Sequence, residues 1–158
     1  MYERIRDKRE CILTLWQAAV LPQNHGFSRK STESLGITLP SDNLLKDQSA
    51  LLFDWLVSDE EPIKARPGLK EICRVKAVAA TNPSEALGFI LDLKEIIRMV
   101  LKEGEGGFTD FQASELCDLD RRIDQLMILA FDEYTDCREQ IMEIRLDEVR
   151  RLAGRLAR

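Results

Sequence analysis

The sequence predicts a single all-α domain that covers residues 1–158. Three observations lead to this prediction. Apolar residues recur three and four positions apart, no stretch alternates as a β-strand would, and glycine or proline separates the apolar segments. We therefore expect a bundle of five to six helices that ends in a long C-terminal helix.

Two helices are predicted in the N-terminal part, over residues 3–21 and 43–58. The first has Ile5, Ile12, Leu13, Trp16 and Val20 at helical spacing, and Pro22 follows its end. A polar stretch, 24–42, is predicted to be a long loop between the two helices. The second helix is expected to bury a set of large apolar side chains: Leu44, Leu45, Leu51, Leu52, Trp55 and Leu56.

A sharp corner is predicted at residues 81–85. It follows a third helix, for which Pro67 suits the first turn. Asn82 has the side chain of an N-cap, Pro83 fits the first helical position, and Glu85 favours the positive end of the helix dipole. The next helix presents a wide apolar arc typical of a core helix: Ala86, Leu87, Phe89, Ile90, Leu93, Ile96, Ile97, Val100 and Leu101. The glycine-rich segment 103–107 ends it.

The last helix is predicted to run from about residue 110 to 156, which is roughly 70 Å. Thr109 and Gln112 form a capping-box pattern at its start. Its apolar stripe consists of Leu116, Leu119, Ile123, Leu126, Ala130, Cys137, Ile141 and Ile144, widened by Met127, Ile128, Leu129 and Phe131.

The end of this helix is expected to reach beyond a domain of this size. Its arginine-rich last third must pack on another chain or stand exposed, unless the helix kinks and folds back on its own core. We expect a homodimer, with a candidate dimer face formed by Ile141, Ile144, Val149 and Leu152.

Composition excludes several classes of function. A net charge of −5 without a dense basic cluster argues against nucleic-acid binding, and no apolar run approaches the roughly 20 residues of a membrane span. The N-terminus lacks the apolar core of a signal peptide, so a cytoplasmic location is expected. The four cysteines form no CxxC pair, which favours reduced thiols over a redox switch between subunits.

The sequence shows no catalytic or cofactor-binding signature. His25 is the single histidine, no phosphate-binding glycine loop is present, and Asp132, Glu133 and Asp136 lack the glycine and spacing of an EF-hand loop. We therefore expect no catalytic residue, no cofactor and no metal, and we interpret the acidic cluster as a solvated helix face.

Lys76 lies within an apolar helical arc and is the one local conflict in the pattern. A lysine there must either extend its ammonium to solvent or pair with a carboxylate. Glu85 and Asp92 border the apolar arc of the next helix and are candidate partners. A buried ion pair would hold the corner, whereas an extended lysine would only border the core.

Two blocks resemble the N-terminal domain of the RsbRD-type RsbT co-antagonist proteins. The first, 74–101, matches at Arg74, Lys76, Ala77, Val78, Pro83, Ser84, Ala86, Gly88, Phe89, Leu93 and Lys94. The second, 119–151, matches at Ile123, Asp124, Ala130, Phe131, Asp132, Tyr134, Cys137, Arg138, Glu139, Arg145, Glu148 and Val149.

The resemblance implies a globin-like helical bundle without haem that dimerises and works in stress signalling. A STAS domain usually follows such domains. The chain ends at Arg158 without one, so a stand-alone version is expected. The residues singled out for a structural or signalling role are Arg74, Lys76, Asn82, Pro83, Gly88, Asp124, Asp132 and Arg138.

The leading interpretation is a non-enzymatic sensor or regulatory module that acts through dimerisation and a protein partner. Two alternatives remain open. One is an accessory protein that docks onto a larger redox or membrane-associated complex without inserting into the membrane. The other is a globin-like protein that binds a small molecule.

Overall fold

Helices account for nearly all of the described chain. The computed structural model describes residues 1–22, 36–79, 82–103 and 113–158. Within these ranges it contains six α-helices, a short 3₁₀ helix and no strand, so the all-α prediction is confirmed. The α-helices are α1 (Tyr2–Asp7), α2 (Arg9–Val20), α3 (Asp42–Leu56), α4 (Arg66–Ala79), α5 (Pro83–Glu103) and α6 (Ala113–Leu156). The 3₁₀ helix, Pro62–Ala65, leads into α4.

The first predicted helix is in fact two helices that meet at Lys8. This residue has φ −97° and ψ 11°, outside the α-helical range, and its carbonyl accepts a bond from the Ile12 N–H. No glycine or proline marks the break in the sequence. The core residues on either side, Ile5 and Ile12, stay fully buried, so both short helices pack on the same core.

Ser41 is the N-cap residue of helix α3. The Ser41 hydroxyl accepts a hydrogen bond from the Leu44 N–H at 3.2 Å. The predicted buried set was wrong at Leu44 and Leu51, which are exposed, because the face that turns inward carries Leu45, Ser49 and Leu52 instead. Leu44 and Leu51 lie seven residues apart on the other side of the helix. Phe53 takes a place in the core that the sequence pattern did not assign to it.

The corner before α5 has the predicted capping geometry. The Asn82 side-chain oxygen accepts the Glu85 N–H at 3.0 Å, and the Asn82 carbonyl accepts the Ala86 N–H at 3.1 Å. Pro83 is the first residue of α5, as predicted. The apolar arc of α5 is buried throughout except at Ile96, which is half-buried, so the prediction of a core helix is confirmed.

The terminal helix α6 is continuous. Its 44 residues correspond to about 66 Å, so the prediction of one long helix is confirmed from Ala113 onward. The alternative of a helix that folds back on its own core does not occur, because residues 149–158 are exposed. The prediction that Ile128 and Phe131 widen the apolar stripe was wrong, because both are exposed. Tyr134, which was not assigned to the stripe, is buried. The predicted capping box at 109–112, His25 and most of the predicted loop 24–42 lie outside the described residues.

The core forms between α6 and the shorter helices. The most extensive packing joins α4 to α6, followed by α2 on α5, α3 on α4 and α5 on α6. At the α2–α5 contact, the Trp16 indole N–H donates to the Phe89 carbonyl at 2.7 Å, and the two rings lie 6.2 Å apart. Burying side chains of this size contributes about 1.5–3 kcal/mol each.

Among the described helices, none combines the length and the apolar character needed to cross a bilayer.

Candidate protein-interaction surface

Cations from distant helices hold the C-terminal ends of four helices. The last carbonyls of a helix lack partners within it and carry the negative end of the helix dipole. Lys76 donates to the Ala19 carbonyl in the last turn of α2 at 2.7 Å, and Arg138 donates to Ala77 in the last turn of α4 at 2.9 Å. Two of the residues singled out from the sequence therefore hold the ends of other helices.

The ends of α3 and α5 are held in the same way. Arg4 donates to the Leu101 carbonyl of α5 at 3.3 Å, and Arg6 donates to Val57, just after α3, at 2.6 Å. Arg122 binds more carbonyls than the other cations named here. It donates to three carbonyls around the end of α3, those of Trp55, Leu56 and Glu60, and its guanidinium lies 4.2 Å from the centre of the Trp55 ring.

Lys76 is partly buried, and its ammonium binds no carboxylate among the described residues. Apart from the Ala19 carbonyl, its neighbour is the Phe89 ring, 5.6 Å from Nζ to the ring centre. Loss of hydration lowers the pKa of Lys76 below its ordinary 10.5, and the longer-range attraction of Asp92 opposes that shift only in part. Of the two alternatives left open by the sequence, pairing with Glu85 or Asp92 is not observed; Lys76 instead binds the open C-terminal end of α2, which supplies an acceptor.

The other residues singled out near the corner have separate roles. Arg74 donates to the Thr38 carbonyl at 3.1 Å and lies 3.5 Å from Glu71, so it ties the segment before α3 to α4. Gly88 lies inside α5, and a β-carbon built there would contact nothing within 4 Å among the described residues. Asn82 and Pro83 border a surface groove, which Arg138 also lines.

The acidic residues singled out on α6 lie at its surface. Asp124 is 3.7 Å from Lys94 of α5, and Asp120 binds Arg98 at 2.8 Å, so surface ion pairs link the two helices. Asp132 is exposed. Ion pairs of this kind contribute less than about 1 kcal/mol each, so they add little to the stability of the α5–α6 contact.

One carboxylate is buried instead, and sequence reasoning missed it. Glu133, 6% exposed, accepts a hydrogen bond from the Arg66 guanidinium at the start of α4. Burial, and secondarily the Glu133 charge, raise the pKa of the Cys137 thiol to about 11. Burial also raises the pKa of Cys73, whose Sγ lies 3.5 Å from the Ala130 carbonyl. These two thiols are structural rather than reactive.

The described residues contain no candidate metal centre. They include no group of three or more histidine, cysteine or acidic side chains arranged to hold an ion. Every buried polar side-chain atom in the described ranges also has a hydrogen-bond partner.

The most conspicuous unpartnered feature is an apolar face on α6. Beyond Ile141, which is 5% exposed, the helix leaves the core, and apart from the half-buried Ile144 its large apolar side chains face solvent. Those with the largest exposed fractions are Met142 at 53%, Leu146 at 51%, Val149 at 61% and Leu156 at 90%. Exposed apolar stretches of this kind commonly mark sites of protein association.

The four residues of the predicted dimer face divide into two groups. Ile141 packs into the core of its own chain, and Ile144 is half-buried beside the segment 36–39. Val149 and Leu152 are exposed. Met142 and Leu146, which were not part of the predicted face, are exposed as well. Their spacing of four residues, which places them on one side of a helix, could have indicated them.

A groove adjoins the proximal end of this face. It has a volume of about 560 Å³ and runs between the corner and α6. Its lining consists of Asn82, Pro83, Tyr134, Thr135, Arg138, Glu139, Met142, Glu143 and Leu146. A smaller cavity of about 200 Å³ lies on the other side of α6, beside Arg74 and Cys137.

No family model, curated protein or solved structure matches this chain. The resemblance to the RsbRD N-terminal domain therefore stays a prediction.

Proposed function

We propose that this chain is a non-enzymatic regulatory module that acts in the cytoplasm by forming a homodimer and binding a protein partner. One observation carries the proposal: α6 continues for about four turns beyond the core and keeps large apolar side chains exposed along one side. A helix that extends beyond its domain with such a face is suited to association with another protein surface.

The roles of the polar residues support this proposal. Lys76 and Arg138 hold helix ends, Arg74 anchors a connecting segment, and Glu133 is paired with Arg66. Each of these side chains is used to fix the geometry of the bundle. A rigid body with a protruding helix can transmit the binding of a partner along that helix without any chemical step.

The resemblance to RsbRD N-terminal domains supplies the expected context. It implies stress signalling, and it makes a STAS-domain protein the partner class to test first. The groove beside Pro83 and the exposed face of α6 are adjacent, so occupation of one can affect the other.

Direct binding to a purified STAS-domain protein tests this proposal. With the chain immobilised, biolayer interferometry should show saturable binding, whereas a STAS-free control protein of similar charge should not bind. Absence of binding together with a monomeric chain would overturn the proposal. A visible absorption band in the purified protein would instead favour the small-molecule-binding alternative.

A further inference from the structure

The exposed part of α6 carries the spacing of a coiled-coil seam. Met142, Leu146, Val149, Ala153 and Leu156 follow one another at alternating intervals of four and three residues, and all five are exposed. This is the spacing at which two helices interlock side chains along a shared seam. The five residues are called the distal seam below.

Charges beside the distal seam differ between its two ends. Glu139 and Glu143 lie at the proximal end, next to the groove, whereas Arg150 flanks the seam further along. Arg145 lies on the opposite flank from Glu143 and Arg150, as follows from about 100° of rotation per residue.

A parallel arrangement of two copies conflicts with these charges. It places Glu139 of each copy against Glu139 of the other, at the level of the seam. It also brings Arg145 of one helix toward Arg150 of the next. Like charges in such positions oppose association and specify partner orientation in helical pairs.

An antiparallel arrangement resolves both conflicts. When Leu146 lies opposite Val149 of the second copy, Met142 lies opposite Ala153, so a large side chain meets a small one. Glu143 then lies beside Arg150 of the second copy, and the two-fold symmetry repeats this pair.

The groove accommodates the tip of the second helix in the same register. Leu156 of the second copy reaches the level of Glu139, where Pro83 and Tyr134 line the groove. The groove volume of about 560 Å³ leaves room for the end of a helix there.

We propose that a second copy of this chain packs antiparallel along the distal seam, with its helix tip in the groove beside Pro83. This inference rests on the proposed homodimer and adds its orientation and register. The two proposals fail in different ways, as the following experiment shows.

Disulfide trapping between two single-site variants tests the orientation. Cys11 and Cys117 are exposed and are first replaced by serine. In this background Met142→Cys is mixed with a tagged Ala153→Cys chain, so that the three possible cross-linked pairs separate by size on a gel. In the antiparallel dimer positions 142 and 153 are adjacent, whereas two copies of position 142 lie about 16 Å apart along the axis.

The expected result is a mixed disulfide between positions 142 and 153, with little of either self-pair. An excess of the self-pairs would overturn the antiparallel orientation while leaving the homodimer intact. A dimer in sedimentation that gives no cross-link at all would overturn the register. A chain that sediments as a monomer would overturn the proposed homodimer itself. Arg151→Cys, on the far side of the helix, is the matched control and should not cross-link.

Charge reversal gives a second test, because the same substitution should change the Kd of the dimer in opposite directions for the two orientations. Arg150→Glu should weaken the antiparallel dimer about tenfold in Kd, because it places two Glu–Glu contacts beside the seam. Adding Glu143→Arg should restore most of the affinity. In a parallel dimer Arg150→Glu removes the repulsion from Arg145 and should strengthen association, which would overturn the inference.

Discussion

Arg122 offers the sharpest test of how this bundle is held together. Its guanidinium donates to the Trp55 carbonyl at 2.7 Å, to Leu56 at 3.0 Å and to Glu60 at 3.2 Å. It also stacks on the Trp55 ring. Arg122→Ala removes all of these contacts at once, whereas the adjacent Arg121 is exposed and, in the described part of the chain, pairs with Asp118 alone.

The expected loss can be worked out contact by contact. Ser58 also donates to the Trp55 carbonyl, so that acceptor keeps a partner after the substitution. The Leu56 carbonyl, in contrast, has no second donor among the described residues, so the substitution leaves it without a partner. A hydrogen bond to a charged group contributes about 1.5–3 kcal/mol, and stacking of a cation on an aromatic ring adds about 0.5–1 kcal/mol at a partly exposed site. Counting the Leu56 bond and the ring contact, and leaving out the solvent-exposed Glu60 bond, we expect Arg122→Ala to lower the free energy of unfolding by about 2–4 kcal/mol.

Urea denaturation followed by circular dichroism measures this loss, with all variants at one protein concentration because association also affects stability. Arg121→Ala should change the free energy of unfolding by less than about 0.5 kcal/mol. Arg122→Lys keeps the charge but loses the planar fork, so it should fall between the two. Equal losses for Arg121→Ala and Arg122→Ala would refute the role assigned to Arg122.

Three further predictions concern α4, α5 and the cysteines. Gly88→Ala should raise the free energy of unfolding by up to about 1 kcal/mol, because alanine favours the helix and the added methyl meets no described residue. A lower free energy of unfolding in the same denaturation experiment would show that another group occupies the space beside Gly88. The pKa of Lys76 is lowered in the folded chain, so between that value and 10.5 the unfolded chain binds more protons and the wild type gains stability as the pH rises. Lys76→Met should lack this gain, and parallel pH profiles for the two proteins would contradict the lowered pKa. Iodoacetamide at pH 8 should modify Cys11 and Cys117 in the native protein but spare Cys73 and Cys137 until urea is added. Mass spectrometry identifies the modified residues. Rapid modification of Cys137 in the native protein would mean that the α4–α6 contact opens.

Local patterns predicted the parts of the fold that depend on neighbouring residues. The Asn82 cap, the place of Pro83 and the core face of α5 each depend on residues within a few positions, and the structure confirms them. The length of α6 was predictable for the same reason, because its helical periodicity continues without a glycine or proline until Gly154.

The features that the sequence did not reveal depend on distant residues. The partner of Lys76 lies 57 positions away, and that of Arg138 lies 61 positions away, so the helix ends that they hold appear only once the bundle is assembled. Leu44 and Leu51 were assigned to the core because an apolar residue alone does not show which face of a helix turns inward. The pairing of Glu133 with Arg66 was missed because the carboxylate stands in an acidic cluster that resembles a solvated face.

The sequence predicted only part of the exposed face of α6. The sequence indicated that the distal helix reaches beyond the domain, and Val149 and Leu152 are exposed. Ile141 and Ile144 belong to the same helical repeat but turn toward the body, because this turn of α6 still packs against the core and the segment 36–39. The point at which a long helix departs from its core is set by the packing of the other helices, and no local pattern encodes it.

Sedimentation equilibrium at micromolar concentration tests the central claim most directly. The wild-type chain should have about twice the 18.1 kDa mass of one copy, and Leu146→Asp should reduce that to a single copy while the circular dichroism spectrum stays unchanged. Arg151→Asp, on the opposite side of the helix, should remain a dimer. A wild-type protein that sediments as a single copy, or a Leu146→Asp variant that remains a dimer, would contradict association through the exposed face of α6.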